Sequence, residues 1–201
     1  MTVDFSVIQD LALKEAFNNE EKIRIIETDE DYLNELFEHS QKAQLFVYDD
    51  EDAGYSRFVS DTNGLGRDKT ISIDNSNHKD VFLMRIDGML FQGMSKCDCA
   101  LLSQKDMFFI EFKTNASNKN EESREAQYTK CYKQLKQTIG EFDKHYKAIN
   151  ENFRKKKDHY LALAVFNPTV PRDNAFEKSL RAMFAREVRM KLCFTSSCKI
   201  D

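Results

Sequence analysis

MFFIEFKTN, residues 107–115, decides how the chain reads. The apolar run has the length and composition of a buried strand, yet it carries Glu111 and Lys113. Successive side chains of a strand point to opposite faces. Phe109, Glu111 and Lys113 therefore share one face, and Phe108, Ile110 and Phe112 share the other. The apolar face is expected to pack against a helix. Charges inside a fold need partners or a metal ion. Upstream, CDCALLS (97–103) reads as a second strand, and Gln104-Lys105-Asp106 as a tight polar turn, so the two strands form an antiparallel hairpin. Alternation is expected to put Cys97 and Cys99 on one side and Asp98 on the other, with the pairing bringing Asp98 toward Glu111.

Outward from the hairpin, VFLMRIDGMLF (81–91) reads as a strand interrupted at Asp87-Gly88. An Asp-Gly pair favours a bend or bulge, although Asp87 could also serve as a further acid of the site. Downstream, Asn118 with Glu121 resembles a capping box. Tyr128, Tyr132, Leu135, Ile139, Phe142, Tyr146, Ile149 and Phe153 then recur in steps of four and three, a single apolar seam on a helix of about thirty residues. Two readings stand: a helix laid across the sheet, or a partner contact, including a homodimer, through 128–153. Gly140 marks a potential kink. YLALAVF (160–166) is a strand, NPTVP (167–171) a break, and a helix at 174–190 with a strand in KLCFTS (191–196) closes the chain. Strands alternating with helices give a mixed α/β domain.

The N-terminal part reads as helical and acidic, at about 1–60. Leu11, Phe17, Tyr32, Leu33, Leu36 and Phe37 fall at helical spacing, and TDED (28–31) loads acid before the second run. KAQLFVYDD is either a strand or the end of that helix. DTNGLGRDK and DNSNHKD are turn-rich breaks. The GLG within the first lacks the remainder of a phosphate-loop pattern.

With 201 residues, 41% of them hydrophobic, and only six Gly and two Pro, the chain suits a single domain over 1–201. Its longest apolar run, LALAVF, is too short to cross a membrane, and MTVDFSVIQD has no basic start leading into an apolar stretch. A cytoplasmic protein is expected. Five cysteines without a framework spacing agree. Cys97, Cys99 and Cys131 could be drawn as zinc ligands, but buried reduced thiols are the commoner state. His39, His78, His145 and His159 show no metal or triad spacing, and no acyl-transfer motif appears.

The chemistry concentrates at the hairpin. Two hard-oxygen carboxylates beside a lysine suit Mg²⁺ or Mn²⁺. Such an ion neutralises phosphate charge and acidifies a bound water, and the lysine can orient that water. An isolated Glu-x-Lys on an exposed sheet face would be an ordinary surface pair. Here the strand is apolar on both sides of the motif, an acid stands one hairpin back, and a long helix follows.

GMSKCDCALLSQKDMFFIEFKTN (93–115) resembles the core of the PD-(D/E)XK nuclease superfamily, with Asp98, Glu111 and Lys113 matching its pattern one for one. The close likeness covers about thirty residues, and Cys97 stands where the family pattern has Pro. The resemblance implies a restriction-endonuclease-like α/β fold: a mixed sheet flanked by helices, with a long helix after the third core strand. It implies a Mg²⁺-dependent nuclease acting on DNA in preference to RNA. Asp98, Glu111 and the Phe112 carbonyl would bind the metal, and Lys113 would assist water attack. Accessory acids from the first helix would come from Glu15, Glu27 or Glu35, and Gln127 or Tyr128 could join from the helix after the motif. A bland surface role for Gln127 is as good a reading.

Charge is asymmetric: residues 1–60 hold 15 Asp/Glu against 5 Lys/Arg, and residues 153–201 hold 11 Lys/Arg against 5 Asp/Glu. Arg154, Lys155, Lys156 and Lys157 could meet a phosphate backbone, or simply complement a helix C-terminus. The alternative to a nuclease is a catalytically silent or partner-dependent nucleic-acid-binding subunit on the same fold.

Overall fold

The computed structural model describes residues 6–9, 11–17, 35–62, 65, 69–91, 94–114, 121–167 and 174–201. Glu27, Tyr32, Leu33, the capping pair at Asn118, the GLG stretch and most of NPTVP lie outside or straddle the edges of these residues.

The architecture is α/β, with two sheets and a helical layer. The first sheet has six strands: β1 (Phe37–Ser40), β5 (Val81–Arg85), β6 (Cys99–Leu102), β7 (Asp106–Lys113), β8 (His159–Phe166) and β9 (Lys191–Phe194), side by side in that order. β1 through β7 pair antiparallel, while β7, β8 and β9 run parallel, so the sheet is mixed. The expected hairpin is present, with Cys99 opposite Ile110 and Leu102 opposite Met107. The second sheet orders β10 (Ser197–Lys199), β4 (Thr70–Asp74), β2 (Gln44–Asp50) and β3 (Tyr55–Val59). Two short helices, α1 (Ser6–Gln9) and α2 (Leu13–Phe17), precede the strands. α3 (Glu121–Ala148) follows β7, and α4 (Asn174–Glu187) precedes β9.

Several expectations change. The acidic N-terminal part is not helical throughout, because Phe37–Ser40, Gln44–Asp50 and Tyr55–Val59 are strands. In KAQLFVYDD, Leu45 and Val47 alternate inward with period two, and the helix-like spacing of Leu36 and Phe37 gives way to it. TISID, between two polar breaks, is β4. The Phe108, Ile110 and Phe112 face packs not against a helix but against Leu45, Val47, Ile71 and Ile73 of the second sheet. The helices cover the opposite face, where Phe109 meets Phe142 and Phe153.

The seam of α3 lies within this core. Tyr128, Tyr132, Leu135, Ile139, Phe142 and Tyr146 are all buried in the monomer. This removes the sequence basis for a dimer contact through 128–153. The seam outruns a small sheet only on paper, because α2, α4 and Phe153 also pack on it. Phe142 shows how, with ring centroids 5.1 Å from Phe17 and 5.2 Å from Phe109. The helix stops at Ala148, short of the expected 153. Asn150 takes the left-handed conformation (φ 60°), while the Asn150 and Glu151 N–H groups return to the Lys147 and Tyr146 carbonyls, a Schellman-type stop. Among the described residues no helix is long and apolar enough to cross a membrane.

Candidate active site

β6 and β7 part company at the Asp98 end of the hairpin. There Asp98 still belongs to the ladder, its N–H donating to the Ile110 carbonyl at 3.1 Å. Its side chain turns back onto the neighbouring strand, where Oδ2 accepts the Phe112 N–H at 2.6 Å. α3 fixes the approach to this point. Thr138 Oγ1 accepts the Cys97 N–H at 2.8 Å, and Gln134 Nε2 donates to the Lys96 carbonyl at 2.8 Å. Across the strand, Glu111 has no exposed surface. Lys113 Nζ donates to Glu111 Oε1 and, at 3.1 Å, to the Phe112 carbonyl. Glu111 Oε2 is buried with no hydrogen-bond partner.

These groups line one cleft of about 340 Å³, into which α3 brings Gln127, Lys130 and Gln134. The cleft thus brings together Asp98, Glu111, Phe112, Lys113 and Gln127, as the sequence led one to expect. Two acids in it were not expected from the sequence. Asp49 and Glu51, at the end of β2, line the same cleft. The signal for Asp49 was present: Leu45, Val47 and Asp49 alternate onto one face of β2, so a charge occupies a position the pattern gives to the core.

Burial and mutual repulsion dominate the electrostatics. The Asp98 carboxyl is pushed up to about 7, first by burial and then by the Asp49 charge, against the pull of the Phe112 N–H and Lys113. Glu111 is pushed well above the usual carboxylate range by burial and by Asp98, with Lys113 opposing. Burial raises Asp49 as well, and Asp87 and Glu51 add to it. Burial works against the Lys113 ammonium, but Glu111 beside it outweighs this and its pKa rises. Each of these carboxyls therefore resists ionisation, and an opposite charge beside it would lower its pKa again.

The other expected residues fall elsewhere. Asp87 adjoins the site: its N–H donates to the Asp98 carbonyl at 3.0 Å, while its carboxylate pairs with Lys96 at 3.1 Å. The bend reading holds, since Gly88 next to it has φ +76°. Glu15 is exposed on α2, whose Phe17 packs on Phe142 and His145, about 18 Å along α3 from Lys130. Glu35 precedes β1, two strands or about 10 Å from β6, and does not line the cleft. Tyr128 is buried, stacked on Phe166 with its hydroxyl donating to Glu177 at 2.9 Å.

The basic run sits at the wrong end. His159 pairs with Asp106 in register, which leaves residues 154–157 about 17 Å along β7 from Glu111. Three of its four cations are held by the chain. Arg154 grips Asp143 at 2.6 and 2.8 Å, Lys156 pairs with Glu151 at 3.1 Å, and Lys157 is buried with Nζ on the Val7 carbonyl at 2.8 Å. Lys155 is exposed.

A zinc trio is not assembled. Cys97 packs on the helical side of the six-stranded sheet and Cys99 on the other, contrary to the shared side expected. Burial raises the Cys97, Cys99 and Cys131 thiols well above their usual value, which keeps them protonated. Among the described residues no three His, Cys, Asp or Glu already stand as a ready metal-holding group. Compared with family models, curated proteins and solved structures, the chain matches none of them.

Proposed function

We propose that the chain is a metal-dependent nuclease that hydrolyses phosphodiester bonds, on a restriction-endonuclease-like version of the α/β fold. The observation that carries this reading is the buried, unpartnered Oε2 of Glu111, placed in one cleft with Asp98 and Lys113. A carboxylate oxygen is seldom left so without a ligand to take. The donors are hard oxygens, which fit Mg²⁺ or Mn²⁺ better than a thiophilic metal.

Asp98, Glu111 and the Phe112 carbonyl would hold the cation. When bound, it would offset phosphate charge and acidify a coordinated water. With a cation compensating the Glu111 carboxylate, Lys113 could release Oε1 and would hold the attacking water or the developing phosphate charge. Lys130, exposed on the rim of the cleft, is placed to meet a phosphate in place of the 154–157 run. DNA is favoured over RNA through the superfamily resemblance. The protein is read as cytoplasmic from its reduced, buried thiols.

A second reading, a silent or partner-dependent subunit, is favoured by one observation: Lys113 occupies Glu111 Oε1 and, among the described residues, no complete ligand group is formed without help. Cleavage of plasmid, linear DNA and RNA with Mg²⁺, Mn²⁺ or EDTA separates the two. Metal-dependent cutting by the wild type, lost in Lys113→Ala, is expected. Intact substrate with a folded wild-type protein supports the second reading instead.

A further inference from the structure

We propose that Asp49 is a third carboxylate of the cation site, carried to Asp98 and Glu111 by the β2–β3 hairpin of the second sheet. The inference rests on the nuclease reading above and adds to it a residue that the sequence pattern did not assign.

Three features converge on it. First, Asp49 follows Leu45 and Val47 on the inward face of β2, where both apolar side chains are buried. A charge there needs a partner. The acids around it have theirs: Asp50 is paired with Arg57 at 2.8 Å, Glu38 with Arg85 at 3.3 Å and Asp87 with Lys96 at 3.1 Å. Asp49 receives a hydrogen bond from the Ser56 hydroxyl at 3.3 Å, and among the described residues no lysine or arginine forms an ion pair with it.

Second, the cleft that Asp49 lines also holds Glu111, fully buried, with Oε2 lacking any hydrogen-bond partner. That oxygen points to a ligand independently of the acid count. The donors available to such a ligand are oxygens, which selects a hard divalent cation of the Mg²⁺ or Mn²⁺ class.

Third, the hairpin is fixed in place against the strand that carries Asp98. Its tip is closed by the Gly54 N–H donating to the Asp50 carbonyl at 2.8 Å. The Gly54 carbonyl approaches Gly88 so closely that a Cβ there would lie 2.9 Å from it, and Gly88 itself sits at φ +76°. Asp87, one residue back, donates its N–H to the Asp98 carbonyl at 3.0 Å. Hairpin tip, Asp87-Gly88 turn and Asp98 thus form one continuous chain of contacts. The Asp-Gly bend acts here as the seat of the hairpin rather than as a metal ligand.

The test is Mn²⁺ binding to the full chain, with free Mn²⁺ read by electron paramagnetic resonance at constant ionic strength. Asp49→Asn keeps the size and the Ser56 contact while removing the charge; Asp49→Ser, also neutral and smaller, gives the same reading should the amide disturb the fold. Loss of one of three anionic ligands is expected to weaken Mn²⁺ binding about tenfold or more. Asp158→Asn, an exposed acid at the far end of the strands, is expected to stay within about twofold. If the wild type binds, Asp98→Asn weakens binding and Asp49→Asn does not, the inference falls while the nuclease reading stands. If the wild type binds no Mn²⁺ at millimolar concentration, both fall together.

Discussion

Replacing Asp98 with Asn should make the metal-free protein more stable while abolishing the proposed nuclease activity. Asp98 is displaced from 3.8 to about 7, and each unit corresponds to about 1.4 kcal/mol between the two protonation states, so the ionised form is disfavoured in the fold by about 4 kcal/mol. The carboxylate is only partly buried. Water reaching it through the cleft and relaxation of its neighbours reduce the expected gain on neutralisation to on the order of 1–3 kcal/mol. Asn retains an oxygen to accept the Phe112 N–H, so the backbone contact survives. The sign follows from linkage. Because the folded value lies above the unfolded one, the native state binds the proton more tightly and stability falls as pH rises from about 4 to about 7. Above pH 7 the penalty is complete; below pH 4 it is absent. Urea unfolding in EDTA should therefore place Asp98→Asn above the wild type at pH 8, with a melting temperature higher by roughly 3–10 °C, and the two should converge toward pH 4. A variant less stable than the wild type at pH 8, or a difference that does not change with pH, would refute this account of the site's electrostatics.

Two further outcomes follow from the same geometry. Phe142→Ala empties a fully buried position between Phe17, Phe109 and Phe153; it should cost about 3–5 kcal/mol of stability in a urea titration. On the proposed nuclease reading, Lys130→Ala should weaken binding of duplex DNA and reduce the slope of log affinity against log salt by about one. Lys155→Ala, at the far end of the strands, should leave both unchanged in the same fluorescence anisotropy titrations.

The hairpin and its charges are legible because strand alternation is a strict period, and Phe108 through Lys113 follow it without interruption. The second sheet is not legible for a local reason. β4 is five residues between polar turns, and β10 is three, too short to show alternation. β2 stands open between strand and helix in the sequence because Leu36 and Phe37 just before it imitate helical spacing. Its resolution as a strand moves Asp49 into the site. The partner for the Phe108 face is hidden for the same reason: without a second sheet in view, a helix is the natural cover. Likewise, the apolar seam of α3 carries no mark of whether its partner is another chain or α2, α4 and Phe153 of the same one. The basic run at 154–157 looks like a ligand surface in one dimension, and only the positions of Asp143, Glu151 and the Val7 carbonyl reveal that three of its four charges are already held.

Within the acidic first sixty residues, the placement of β2 sets Asp49 beside Asp98, and the interaction of the two can be measured as a coupling. After burial, the Asp49 charge is the largest factor raising Asp98. Neutralising Asp49 should therefore relieve part of the penalty that Asp98 carries, and neutralising Asp98 should relieve part of that on Asp49. In metal-free protein at pH 8, Asp49→Asn and Asp98→Asn should each stabilise, and the double variant should gain less than the sum of the two. Groups sharing one electrostatic network show interaction energies of about 0.5–3 kcal/mol, whereas independent sites add to within about 0.3–0.5 kcal/mol. Urea unfolding of the four proteins measures the difference directly. Additive gains would mean that the two carboxylates do not share a field, and the cleft would then be two separate acids rather than one site. A deficit that disappears on adding Mn²⁺ would identify the cation as what the repulsion is held in readiness for. The fold would then be tolerating instability in its empty state at the one place where a ligand removes it.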